Sequence, residues 1–166
     1  MKHKNEHGRN AFLRRGAEGV IKFPVGMLSR LRSGLLRDLS REQFALLLAR
    51  REPCGGAALC CVMDMRIFGA ADLEGQGVAS LHIRKDRVLD VLQEVQRRMD
   101  VDMILDVHTH PFSETAAIFS SIDDRDELEF SAYLAEEFPD IGYGSIVLSQ
   151  REYDARINLT DRKSVV

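Results

Sequence analysis

Residues 101–111, VDMILDVHTHP, leave the chain few options. The run is apolar, too short for a typical helix, and closed by a proline that can neither donate to a ladder nor continue a regular strand. It reads as a strand over 101–110 whose last turn outward carries two histidines. Residues two apart in a strand point the same way, so His108 and His110 leave one face together. A fold that places such a strand end at the surface of a sheet presents two imidazoles at one point.

The elements around it fit one domain. A chain of 166 residues is long enough for a sizeable core and short for two domains. GVIKFP (19–24) reads as a short strand closed by Pro24, and residues 25–39 have apolar positions at helical spacing with Arg on the other face. EQFALLLARRE (42–52) and GAALCCVMDMRIF (56–68), joined by a PCGG turn, form a hairpin of largely buried strands. Residues 69–77 are a loop, 78–85 a strand, and 86–99 an amphipathic helix with Asp86 as N-cap. After a loop over 111–121, a helix starts near Ser121 or Ile122 with acidic residues in its first turn, and strands follow at 141–149 and 153–160. Helices and strands mix without strict βαβ alternation, which argues an α/β or α+β domain with a mixed β-sheet flanked by helices over 19–166. Residues 1–18 lack periodicity and are expected as a basic, loosely docked tail.

Charge and cysteine usage narrow the classes. The net charge of −3 gives no global attraction to nucleic acid, although residues 1–37 hold nine Lys/Arg against two Glu. That basic region is a solvated face or a docking surface for an acidic partner. No run of about 18 apolar residues exists, and the N-terminus lacks the apolar core of a secretory signal. Cys54, Cys60 and Cys61 make a poor disulfide framework, so a reducing cytoplasmic setting is expected, with Cys60 and Cys61 as small buried hydrophobes.

The histidine pair is followed by Ser120 and Asp123, ten and thirteen residues after His110. Two imidazoles, a carboxylate and a water complete a tetrahedral catalytic zinc site with an open position. Ser121 and Asp124 form a second S-x-x-D one residue on, so the register of the carboxylate is open on spacing alone. His3 and His7 lie in the tail, and His82 reads as a structural residue of a strand. DVHTH at a strand end also opens the metal site of barrel amidohydrolases. Those sites draw further ligands from later strands, whereas only 56 residues follow His110 here and none is histidine. An eight-stranded barrel of about 250 residues does not fit.

Hydrolysis at such a site benefits from a carboxylate that takes a proton from water. Glu42, Glu52 and Glu74 are all candidates on chemistry alone. The H-x-H-P stretch followed by S-x-x-D resembles the JAMM motif of the MPN+ (Mov34/PAD-1) metalloprotease family, which also carries an upstream E-x-x-G-h-h-h-G. The matching stretch is EQFALLLA, residues 42–49, and the likeness spans about residues 19–150.

The resemblance implies a cytidine-deaminase-like MPN fold. It implies Zn²⁺ held by His108, His110 and Asp123, Glu42 as general acid/base, and Ser120 as the donor that steadies the oxyanion. Two departures stand out: Ala45 and Ala49 replace the family's glycines, and Phe119 stands where many relatives have proline. The compact length is similar to the prokaryotic branch of the family, which implies an isopeptidase or peptidase acting on a ubiquitin-like protein, with a ThiF-like adenylating enzyme as a further partner. A non-catalytic MPN scaffold and a small-molecule amidase are the alternatives. The loops 69–77 and 111–119 are expected to border the substrate path.

Overall fold

A computed structural model describes residues 11–12, 18–54, 57–76 and 81–158. In chain order the elements are β1 (Ala11–Phe12), β2 (Glu18–Lys22), α1 (Met27–Leu35), β3 (Phe44–Cys54), β4 (Ala57–Phe68), β5 (Leu73–Gln76), β6 (Leu81–Ile83), α2 (Lys85–Arg97), β7 (Met103–Thr109), α3 (Ser121–Glu137), β8 (Gly142–Leu148) and β9 (Tyr153–Asn158). Seven strands form one mixed sheet in the order β1-β2-β4-β3-β7-β8-β9, which closes on itself where Phe12 pairs with Arg156. β5 and β6 make a separate two-stranded sheet. The mixed α+β architecture expected from the sequence is present.

Period-two alternation sorts the central strands into two layers. On one face Ala45, Leu47 and Ala49 of β3 and Met103, Leu105 and Val107 of β7 pack with Met27, Leu31 and Leu35 of α1. On the other face Leu46, Leu48 and Ile104 pack with Val91, Leu92 and Val95 of α2, with Leu134 of α3 and with Phe138 just past its end. The first half of β3, through Ala49, and β7 are covered on both sides, which explains the apolar runs there, whereas Arg50 to Pro53 of β3 extend to an exposed end. Ala45 and Ala49, the positions of the family's glycines, lie in the α1 layer, on the face opposite to Leu46 and Leu48.

Several boundaries differ from expectation, each for a local reason. α1 is shorter than residues 25–39 because the chain turns through Gly26, whose φ of +78° suits glycine, and because the helix closes at Leu36. Val25 and Leu39, counted as part of its apolar stripe, are exposed. Gly34 does not merely weaken the helix. A Cβ there would come within 2.7 Å of Ile67 Cδ1, so glycine permits the close approach of α1 to β4. The expected 69–77 loop contains a 3-10 turn at Ala70–Asp72 and the strand β5, which pairs with β6 through Leu73–Ile83 and Gly75–His82. Of the strand expected over 78–85, Leu81–Ile83 is strand, and α2 begins at Lys85.

Ala11–Phe12, within the stretch expected as a loose tail, pairs with Gly19 and Glu18 of β2. The rest of that tail before Glu18, with His3 and His7, lies outside the described residues. Cys60 is buried, and burial pushes its thiol up to about 12, whereas Cys61 on the alternate face of β4 is half-buried. His82 was expected to be structural, yet it is exposed, because β6 belongs to the outlying two-stranded sheet rather than to the core. Among the described residues, no helix is long and apolar enough to cross a membrane.

Candidate metal centre

β7 lies between β3, antiparallel, and β8, parallel. Its odd residues stay buried to the end, apolar through Val107 and closing on Thr109, but its other face changes character. Ile104 belongs to the α2 and α3 layer, and beyond it Asp106, His108 and then His110 occupy the same side. The His110 N–H donates to the Leu148 carbonyl at 2.8 Å, so the β8 ladder holds the second histidine although the strand ends at Thr109.

Glu42 reaches the site from the neighbouring strand. Phe44 pairs with His108, and two bonds extend the ladder past β3: Thr109 N–H to the Gln43 carbonyl at 3.1 Å, and Gln43 N–H to Thr109 Oγ1 at 2.9 Å. The register therefore sets Glu42 opposite His110, and its Oε1 lies 4.0 Å from His110 Nε2. Burial raises the Glu42 pKa above the usual carboxylate value, with the Asp123 charge adding to it and His110 and His108 opposing. Such a carboxyl is moved toward the range in which it can both take and return a proton. Glu52, on the far half of β3, pairs with Leu59. Glu74 lies on β5, outside the main sheet.

The third group comes from the first turn of α3. Ser120 is its N-cap: Asp123 N–H donates to Ser120 Oγ at 3.2 Å, and Ser120 N–H donates to Asp123 Oδ2 at 2.5 Å. This is a capping box, so the S-x-x-D spacing has a helix-start meaning as well as a chemical one. It aims Asp123 back over the sheet, with Oδ1 at 3.3 Å from His108 Nε2 and Oδ2 at 3.4 Å from His110 Nε2. Ser120 is exposed, and its hydroxyl accepts from the backbone, which leaves its O–H hydrogen available to donate. Asp124 points elsewhere, to Arg156 of β9, which also contacts Glu127 at 3.2 Å and stacks 4.0 Å from the centroid of the Phe119 ring. Of the two possible registers, the one through Asp123 faces the histidines.

One donor atom each from His108, His110 and Asp123 lies within 4.8 Å of the others, a group that could hold a metal ion. His108 Nε2 is buried and makes no hydrogen bond, with Asp123 Oδ1 3.3 Å away. It is the one such side-chain atom among the described residues. Leaving a buried nitrogen unsatisfied costs about 1–3 kcal/mol, and a cation shared with His110 and Asp123 would satisfy it. Burial opposes charge on His108, but Asp106 and Asp123 outweigh it and hold its pKa up at about 9. Burial also opposes the Asp123 charge, and the two imidazoles outweigh it, keeping that carboxyl well below its usual range. The carboxylates thus make the centre favour positive charge, which either protons or a metal ion supplies.

Four residues at or near the centre were not anticipated. Asp106 was legible as a further same-face residue two positions before His108. Tyr143, Ser145 and Arg156 carry no local signal, since they arrive only through the pairing of β8 with β7 and of β9 with β8. The loop after His110 is anchored rather than free at its start. Ser113 N–H donates to the His110 carbonyl at 3.1 Å, and Gln150 Nε2 donates to the Pro111 carbonyl at 2.8 Å. Phe112, Ile118 and Ile122 are exposed apolar residues on this loop and the adjoining helix turn. β4 ends at Phe68, paired with Phe44, so the chain enters the 69–77 segment at the same end of the sheet as the histidines.

No protein-family model matches the chain, and no curated protein sequence matches it significantly.

Proposed function

We propose that the chain is a zinc-dependent hydrolase of the JAMM/MPN+ type, with the MPN variant of the mixed α+β fold, that cleaves an amide bond after the tail of a ubiquitin-like protein. The observation that carries this reading is the convergence of His108, His110 and Asp123 donor atoms within 4.8 Å, with the Glu42 carboxylate beside them. Bound Zn²⁺ supplies Lewis-acid polarisation of the carbonyl and lowers the pKa of water.

The chain's own groups do the remainder. His108 and His110 present neutral nitrogens, and Asp123 supplies one negative charge. Glu42 takes the proton of the attacking water at its carboxylate and returns it to the leaving amine nitrogen. Its raised pKa suits both transfers. Ser120 donates its hydroxyl hydrogen toward the carbonyl oxygen as charge develops there. The capping box holds that hydroxyl and Asp123 in fixed relation, so no loop has to move to assemble the pair.

An extended tail with small residues suits a site at a strand end, where a main chain can lie along the sheet and a bulky side chain meets the rim of Phe112 and Ile118. A ThiF-like adenylating enzyme is the partner class that the same reading implies. The test is zinc stoichiometry by elemental analysis, combined with cleavage of ubiquitin-like fusions bearing Gly-rich or bulky ends. One zinc per chain and preference for the Gly-rich ends are expected. Zinc without preference, or faster turnover of simple acyl-amides, moves the substrate to small molecules. Absence of zinc after exposure to the metal leaves an assembly scaffold as the better reading.

A further inference from the structure

Asp106 is a carboxylate placed where the sheet face is otherwise turning from apolar core to metal centre. It shares its face of β7 with His108 and His110, and its side chain is largely shielded from solvent. One oxygen, Oδ2, accepts from the Tyr143 hydroxyl and from Ser145 Oγ at 2.8 Å, both on β8. The parallel register pairs Asp106 with Ser145 directly. Tyr143 is buried, and Phe130 of α3 packs edge-on against its ring at 5.2 Å. Two fixed donors thus hold one carboxylate oxygen and leave the other, Oδ1, facing His108 Nδ1 at 3.8 Å.

We infer that Asp106 is a positioning residue for the metal centre: with a cation on Nε2 and Asp123, its Oδ1 is the carboxylate oxygen that faces the Nδ1–H of His108 and orients the ring. This rests on the metal-centre reading above. The two ring nitrogens of a neutral histidine are distinct, and the partner of one decides the role of the other. Asp123 Oδ1, 3.3 Å from Nε2, competes for the His108 proton until a cation occupies Nε2, after which Asp106 is the carboxylate that faces the proton left on Nδ1. Phe119, edge-on to the His108 ring at 5.9 Å, restricts its rotation from the other side. A merely structural role, tying β7 to β8 through Tyr143 and Ser145, uses only Oδ2. It gives no reason for the negative charge or for the placement of Oδ1.

The test is Asp106→Asn. Asparagine keeps an oxygen for Tyr143 and Ser145 but turns an N–H₂ donor toward His108 Nδ1, which favours the opposite tautomer. Zn²⁺ titration against a competing chelator should show roughly 10–100-fold weaker binding, the usual cost of losing such a partner, and Co²⁺-substituted protein should show altered visible bands. A second readout needs no metal. ¹⁵N NMR of His108 under alkaline conditions, in an Asp123→Ala background that removes the competing carboxylate from Nε2, should show Nδ1–H with Asp106 present and a shift toward Nε2–H with Asp106→Asn. Unchanged zinc affinity with an unchanged tautomer would overturn the assignment. A parent protein that binds no zinc, with the Nδ1–H tautomer still found in the Asp123→Ala background, would defeat the proposed hydrolase while leaving the role of Asp106 standing. If Asp106→Asn does not fold, Ser145→Ala carries the test: a loosened Asp106 should weaken zinc binding several-fold, and parent-like affinity overturns the inference.

Discussion

At the scale of single residues, the proposed function divides the centre between groups that would hold a metal and one that would transfer a proton. Glu42 lies 4.0 Å from His110 Nε2 but supplies no atom to the candidate ligand group. Glu42→Gln should therefore keep zinc stoichiometric while lowering turnover by about 10²–10⁴, the usual range for loss of a general acid/base. Elemental analysis beside single-turnover kinetics separates the two effects, and parent-like cleavage would assign the proton transfer to another group. The adjacent aspartates offer a sharper contrast. Asp123→Asn should abolish tight zinc binding. Asp124→Asn should retain it, since Asp124 serves Arg156, and should instead lower the unfolding midpoint by loosening that pair. The reverse pattern in a chelator competition would mean that the second S-x-x-D register is the functional one.

At the scale of elements, the start of α3 and the α2–β4 contact each support a prediction. Ser120 is both a helix cap and the proposed oxyanion donor, and two substitutions separate these roles. Ser120→Ala removes both, costing about 1 kcal/mol of stability as well as rate. Ser120→Asn keeps a capping oxygen but loses the hydroxyl, so it should melt like the parent and turn over like the alanine variant. Equal rates for parent and Ser120→Asn would exclude the hydroxyl from the reaction. Across the α2–β4 contact, Arg66 donates to Glu94 at 2.7 Å, and Arg98 contacts Asp64 at 3.3 Å and Asp100 at 2.6 Å. Burial opposes the Asp64 charge, but Arg66, the Met65 N–H and Arg98 outweigh it and depress its pKa, while the Arg98 hydrogen bond depresses that of Asp100. Depressed carboxyls contribute stability above their unfolded pKa of about 3.9 and lose it as pH falls through the lower folded values. Arg98→Met should lower the urea midpoint at pH 7, and the gap to the parent should close as the solution is acidified below about pH 4. A gap independent of pH would show that Arg98 acts through packing alone.

At the scale of the whole molecule, a metal held as proposed by β7 and α3 would couple the sheet to a helix that follows it by a long loop. Anything that binds the folded chain alone stabilises it, by about 2.7 kcal/mol at a free concentration 100 times the dissociation constant. For a domain of this size that corresponds to a rise in midpoint of roughly 5–11 °C. Calorimetry with added Zn²⁺ and with EDTA should show that difference in the parent and none in Asp123→Asn. A parent insensitive to both would argue against a metal between these elements. What the sequence by itself determined is local: the strand that delivers His108 and His110, the helix start at Ser121 with its S-x-x-D box, and the pairing of β3 with β4, although β4 is more exposed than its apolar run suggests, all follow from short-range periodicity and capping chemistry. It also implied the candidate ligands, because their spacing lies within one strand–loop–helix unit. Other features were decided by tertiary structure. Glu42 reaches His110 through strand register, Asp124 is drawn off by Arg156 from β9, Tyr143 and Ser145 fasten Asp106 across a parallel pair, and Gly34 makes room for Ile67. Each of those depends on which strand lies beside which, and pairing between distant segments leaves no periodic trace in either segment alone.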